Sequence, residues 1–342
     1  MTGGDLDVLV LAGGLSAERE VSLASGRRVV AALHEAGVHA EAVDVGADLL
    51  DVLRRRAPDV VWPVLHGAGG EDGSLVQVLE LVGLPVVGSA AGPARTAWDK
   101  TAAATVVAHA GIAVPRAVTL SHTVLRDLGA AGILPHVSRS LPPPVVVKPV
   151  HGGSSLGVGV VRHESELARA MMAALGHDSS CRVEQLVSGV EVAVAVVDDG
   201  QGPRALPPVE IAPDSGAYDY EARYTAGATE FHCPARLPDD VLARVQERSV
   251  VVHRELGLAR LSRSDWIVDA AGEPWFLEVN TSPGMTGTSL LPQAVVAAGE
   301  SLPHLYRALA EAAADAGAAA PGPDPAGSHT PAGQVTDVLS GS

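Results

Sequence analysis

Apolar residues follow two rhythms along this chain. Some form short unbroken runs that end in glycine or a polar loop. Others recur three and four positions apart. The run DVLVLA over 7–12 has the first form and predicts a buried strand ending at Gly13-Gly14. The adjoining stretch, about 19–36, sets Val21, Val29, Val30 and Leu33 on one face before Gly37, which predicts a helix and its stop. Runs over 39–45 and 59–65 predict two more strands with a helix between them, and a helix near 74–82 and a strand near 85–88 complete the unit. Strands alternating with helices predict a parallel sheet with helices on its faces, so 1–96 forms a first α/β domain.

The rhythm then changes. Residues 98–110 predict a helix capped by Gly111, and Pro115 and Pro142–Pro144 punctuate the chain beyond it. VVVK over 145–148 and VGVV over 158–161 flank the loop HGGSSLG, which predicts an antiparallel hairpin. A helix over 163–175 and a strand over 181–187 close a central domain, 97–187. The third domain, 188–316, opens with the β-like run EVAVAVV and carries the aromatic loop SGAYDYEARYTAG. Next come a helix near 238–256, strands over 261–269 and 275–280, and a helix near 302–314. Residues 317–342 are rich in Ala, Pro, Gly and Ser and are expected to be disordered. No internal repeat is visible.

Composition narrows the function. Asp and Glu number 40 against 24 Lys and Arg, a net charge of −16 with no basic block, which argues against a nucleic-acid partner. No apolar run approaches the ~20 residues of a membrane span, so no membrane partner is expected. The start has acidic flanks and a short apolar run, unlike a signal peptide. Two cysteines, Cys181 and Cys233, supply no disulfide framework, and a reducing cytoplasm is the expected compartment. Lys100 and Lys148 are the only lysines, against 22 arginines. A chain that otherwise uses arginine for positive charge marks these two positions for inspection.

Four segments carry candidate chemistry. Lys148 ends a strand and precedes Gly-Gly-Ser154-Ser155, where glycine N–H groups, serine hydroxyls and an ammonium together suit phosphate. A solvent-exposed turn with an incidental lysine fits the same residues. Gly153–Gly157 also matches G-x-S-x-G, but a nucleophile elbow needs a strand–turn–helix context, and here a strand comes next. Period-two spacing sets Arg263 with Asp265, and Glu278 with Asn280, on shared strand faces. Two carboxylates and an amide oxygen are hard ligands suited to Mg²⁺; an edge-strand salt bridge from Arg263 to a carboxylate fits equally. The N-terminal GGLSAEREVSL lacks full dinucleotide spacing, and Glu18 suits a substrate ammonium or simply the start of a helix. His66 lies at the end of a strand, where open α/β sheets bind ligands, although a plain βα loop fits as well. His232-Cys233 have no further spaced partners, so zinc is not expected.

Taken together, GGLSAEREVSLASG, LHGAGGEDGSLVQVLELVGLPVVGS, WDK, VVVKPVHGGSSLG, YDYEARY and FLEVNTSPGMTGTSLLP closely resemble the D-alanine–D-alanine ligases of the ATP-grasp superfamily, in family order from about residue 8 to 313. The resemblance implies a three-domain ATP-grasp fold, with antiparallel sheets of the last two domains gripping ATP. It implies an ATP-dependent ligation of two D-alanines through an acyl phosphate, serving peptidoglycan synthesis. Asp265, Glu278 and Asn280 would hold two Mg²⁺, with Mn²⁺ as a substitute. Lys100 and Lys148, with Ser154 and Ser155, would meet the ATP phosphates, while Glu184 and Glu191 would meet adenine and ribose. Arg263 and the N–H of Gly284 would stabilise the oxyanion. Glu18 would hold the first ammonium, networked with Ser154 and Tyr224 beneath a lid formed by YDYEARYTAG. His66 and Arg223 would face substrate, and Ser289 and Leu290 the second D-alanine. Relatives are commonly homodimers.

Three positions depart from the family pattern. Arg223 and Gln185 stand where lysines are frequent, and Ser264 where an apolar residue is usual. The resemblance leaves two alternatives: a ligase joining other small amino acids, such as D-Ala with D-Ser, in a specialised or self-resistance pathway, and a non-catalytic nucleotide-binding regulator.

Overall fold

The computed structural model describes residues 6–16, 18–213 and 229–319. Its first unit runs β1 (Asp7–Ala12), α1 (Arg19–Glu35), β2 (His39–Asp44), α2 (Leu49–Arg56), β3 (Val60–Pro63) and α3 (Ser74–Leu81). The three strands are parallel in the order β2-β1-β3. The central strand, β1, is buried on both faces, as its unbroken apolar run requires. Ser22 fastens α1 beneath the sheet: its Oγ accepts from Gly13 N–H and donates to Val64 O. The strand expected over 85–88 is only a single parallel bridge, Val61 to Val86. Pro85 lacks an N–H and Gly88 has φ +155°, which leaves too short a run for a full ladder.

The next elements are α4 (Ala91–Trp98), α5 (Lys100–His109), β4 (Ala117–Ser121), α6 (His122–Leu128), α7 (Ala130–Ser140), β5 (Val145–Pro149), β6 (Gly159–Val161), α8 (Leu167–Leu175) and β7 (Ser180–Gln185). The helix expected over 98–110 is α5, beginning two residues later, because Asp99 separates it from α4. That residue is extended, and its Oδ1 accepts from the N–H groups of Thr101 and Ala102, capping α5. The four strands form an antiparallel sheet ordered β4-β7-β5-β6. One face packs Val145, Val147, Cys181 and Val183 against Leu167, Met171 and Ala174 of α8. The predicted hairpin of β5 and β6 is present around the glycine-rich loop.

The last unit comprises β8 (Val190–Val197), β9 (Arg204–Ala205), β10 (Val209–Pro213), β11 (Thr229–His232), α9 (Asp239–Glu255), β12 (Leu261–Val268), β13 (Pro274–Asn280), α10 (Leu290–Ala297) and α11 (Leu302–Ala319). Its antiparallel sheet is ordered β11-β10-β8-β12-β13, with β9 beside β8. Residues 317–319, expected to begin a disordered tail, are the last turn of α11; the alanine-rich sequence favours continuing the helix. Residues 320–342 and the aromatic lid sequence lie outside the described residues.

Each sheet falls within one of the three sequence segments, but packing crosses their limits. Ala103 and Val107 of α5 join the core of the third sheet, beside Val192, Val194 and Trp266. Tyr306 and Leu309 of α11 join the core of the first, and Tyr306 meets Trp62 edge-on at 5.1 Å. No helix among the described residues is long and apolar enough to cross a membrane.

Candidate active site

Three segments converge on one cleft of about 490 Å³. The start of α1 contributes Glu18, and the loop after β3 contributes His66. Ser154 enters from the glycine-rich loop. Arg263 of β12, and Glu278 and Asn280 of β13, form one wall. Gly284, Ser289 and Leu290 form another, at the N-terminus of α10. Ser154 Oγ donates to Glu18 Oε1, joining residues 136 positions apart. Gly284 leaves room for the Ser289 hydroxyl: an added Cβ would lie 2.7 Å from Ser289 Oγ and force it to turn away. The Ser289 hydroxyl also accepts from Thr286 N–H at 2.9 Å, which fixes its direction.

A smaller cavity of about 50 Å³ adjoins it and shares Gly153 and Glu278 with the cleft. Lys100, Lys148 and Ser155 line it. Lys100 Nζ donates to Gly152 O and stands 3.5 Å from Glu278 Oε2. Within the loop, Ser154 and Ser155 have φ +53° and +56°, a left-handed conformation uncommon for residues with a Cβ. Such strain persists only where surrounding contacts fix it, and here Glu18 and Lys100 both grip the loop.

The β12–β13 ladder explains the wall of Arg263, Glu278 and Asn280. Arg263 pairs with Asn280 and Asp265 with Glu278, so all four side chains share one face. Arg263 donates to both oxygens of Asp265, at 2.7 and 2.8 Å. Asn280 Oδ1 accepts from Ser282 N–H at 2.7 Å. The salt bridge that the sequence allowed is therefore present, but β12 is an interior strand and not an edge. Beneath β12, Ser264 Oγ donates to Ser249 Oγ and accepts from Trp266 Nε1. That network satisfies the hydroxyl that replaces the usual apolar residue.

Other expected residues lie off the cleft. Glu184 is buried in β7, with Oε1 2.7 Å from Lys148 Nζ and Oε2 2.9 Å from Arg182 Nε. Glu191 sits in β8 between Ile211 and Ile267. Arg223 and Tyr224 lie outside the described residues.

Sequence reasoning missed Glu71, which lines the cleft 3.7 Å from His66 Nδ1. Burial pushes its carboxyl above the ordinary range, and His66 acts against that shift. His66 Nε2 is buried without a hydrogen-bond partner among the described residues, as suits a group awaiting a ligand. Arg182 was also missed.

Two antiparallel sheets flank a phosphate-suited loop, and a carboxylate-bearing strand pair closes the cleft; this is the arrangement expected of a nucleotide-dependent ligase of the ATP-grasp class. A family model described as D-ala D-ala ligase C-terminus matches residues 106–311. A D-alanine–D-alanine ligase of Pseudomonas fluorescens is 41% identical over 309 residues, covering 90% of this chain and 92% of that protein. One from Geobacter sulfurreducens is 43% identical, covering 83% and 86%. Among solved structures, the VanG D-Ala:D-Ser ligase of Enterococcus faecalis superposes with a TM-score of 0.78 at 30% identity, covering 91% of this chain and all of that one. The Bacillus anthracis D-alanine–D-alanine ligase complexed with ATP gives 0.75 at 26% identity, covering 92% and 98%. The chain belongs to the D-alanine–D-alanine ligase family.

Proposed function

We propose that this protein joins two D-alanine molecules at the expense of ATP, giving D-alanyl-D-alanine, ADP and phosphate for peptidoglycan precursors. The supporting observation is the single cleft in which Glu18, Ser154, Arg263, Glu278 and Ser289 meet. The first substrate's ammonium is assigned to Glu18 and its carboxylate to the side of His66. A carboxylate oxygen attacks the γ-phosphorus, and ADP leaves. The second substrate's amine then attacks the acyl carbonyl, losing a proton, and phosphate departs. Anion approaches anion in the first step, so neutralising charge dominates the barrier. Lys100 and Lys148 supply that charge beside the loop, and Ser155 adds a donor. Arg263 and the Gly284 N–H are assigned to the oxyanion. Ser289, at the N-terminus of α10, is assigned to the second carboxylate, with Leu290 beside it. Glu184 and Glu191 are assigned to adenine and ribose, and Arg223 and Tyr224 to the lid.

The donor chemistry of Asp265, Glu278 and Asn280 fits Mg²⁺: three hard oxygens on one face of paired strands. Bound there, two Mg²⁺, or Mn²⁺ in their place, would neutralise phosphate charge. Asp265 would then share with the metal oxygens that now accept from Arg263. We also assign 1–96, 97–187 and 188–316 as domains, the cytoplasm as the compartment where ATP is supplied, and a homodimer as the working form.

A substrate panel tests the reading. ADP release is measured with D-alanine, D-serine, D-lactate and L-amino acids, and products are identified by mass. D-alanine alone is expected to drive the fastest release. Faster turnover with another pair overturns the assignment.

A further inference from the structure

Strands β5 and β7 place two buried cations side by side. Lys148 and Arg182 are direct cross-strand partners, each 6% exposed. Like charges in that relation repel. Glu184 lies two residues beyond Arg182 on the same face of β7 and divides its oxygens between them, Oε1 to Lys148 and Oε2 to Arg182. Of the three, only Lys148 lines the cavity beside the glycine-rich loop.

This arrangement bears on how Lys148 works. A lysine held 2.7 Å from a buried carboxylate must share its donors with that carboxylate, or leave it, to serve a phosphate. Deserting a buried charge by its only partner is strongly unfavourable. Arg182 supplies a second partner that is charged at every relevant pH and bound through a different oxygen. We propose that Arg182 is a positioning residue for nucleotide binding: it keeps Glu184 neutralised, so that Lys148 is free to turn to the phosphates. The inference deepens the ligase reading and rests on its assignment of Lys148 to the ATP phosphates.

The test uses the full chain and reads affinity separately from turnover. ATP and adenosine are titrated calorimetrically into wild type, Arg182→Leu, Arg182→Lys and the double variant Arg182→Leu/Glu184→Gln. Arg182→Leu is expected to weaken ATP by about tenfold or more while adenosine changes by less than about threefold, since only ATP needs Lys148. Arg182→Lys retains a cation and is expected to recover part of the loss. The double variant removes the charge that traps Lys148; because Glu184 is also assigned to adenine, it is expected to weaken ATP and adenosine alike, leaving the ratio of the two affinities within about fivefold of wild type. An arginine with a merely structural role would leave that ratio no better in the double variant than in the single one. Unchanged ATP affinity in Arg182→Leu, equal losses for ATP and adenosine in it, or a double variant whose ratio is no closer to wild type than the single's overturns the proposal. Should Arg182→Leu fail to fold, the double variant, which leaves no buried unpaired carboxylate, decides alone: a fall in that ratio of about tenfold or more counts against the proposal. Wild type that binds ATP but releases no ADP with D-alanine contradicts the ligase reading, while the affinity comparison still decides the role of Arg182.

Discussion

Glu278 is the charged residue that the two cavities share. It faces Asp265 across the ladder and stands near Lys100, so its charge is shared between the metal-suited wall and the phosphate loop. Glu278→Gln preserves its size and removes that charge. Turnover is expected to vanish while the thermal unfolding midpoint stays near that of wild type; substantial ADP release would contradict the metal assignment. His253 is a residue of stability and lies away from the cleft. It is 1% exposed on α9, its Nδ1 lies 2.8 Å from Ser262 Oγ, and burial pushes its pKa down from 6.5 to about 4. A depressed histidine pKa contributes stability that is full above about 6.5 and lost as pH falls toward 4. The shift corresponds to roughly 3 kcal/mol across that window. Asp198 opposes the shift, and Arg254 and Arg260 add to it. Urea unfolding at pH 7 and pH 4 is expected to show a smaller acid loss for His253→Gln than for wild type; equal losses would assign the acid sensitivity to other groups. At this scale the sequence exposed what was rare or patterned. Lys100 and Lys148 stood out by scarcity, and Asp265 and Glu278 by spacing. Glu71 and Arg182 were hidden because nothing local marks a charge as buried; tertiary packing decides that.

At the level of elements, periodicity was a good guide wherever one face was plainly apolar. The β5–β6 hairpin, α9 and the β12–β13 pair lie close to where the pattern sets them. It failed where caps and breakers interrupt short elements. Gly129, at φ +80°, separates α6 from α7, and Pro135 sits inside α7, so the apolar rhythm there marks no helix. Strands β10 and β11 are short and flank the lid sequence, leaving little alternation to detect. The break at Asp99 has functional weight, because this cap sets the first turn of the helix that begins with Lys100. Asp99→Ala is expected to cost about 1 kcal/mol in thermal unfolding. It is also expected to raise the KM for ATP more than that for D-alanine. An unchanged ATP KM would separate the cap from the site.

On the scale of the whole molecule, alternating strands and helices indicated the parallel first sheet and the glycine-rich hairpin an antiparallel second; the antiparallel third came with the family resemblance, and the structure has all three. The return of α11 to the first sheet was not legible. Its apolar stripe says that it packs, not where, and its partners Trp62 and α1 lie more than two hundred residues away. Truncation after residue 319 is therefore expected to leave ADP release unchanged, whereas truncation after 301 removes Tyr306 and Leu309 from the core and is expected to abolish the folded state. Circular dichroism melts and ADP release on both chains check this. The hydrogen bond from Ser154 to Glu18 has a consequence at the same scale. It ties the loop assigned to nucleotide to the carboxylate assigned to the first amino acid, between units built on two different sheets. Occupancy of one half then biases the other, and thermodynamic linkage makes that bias reciprocal: by whatever factor nucleotide tightens the first D-alanine, D-alanine tightens nucleotide.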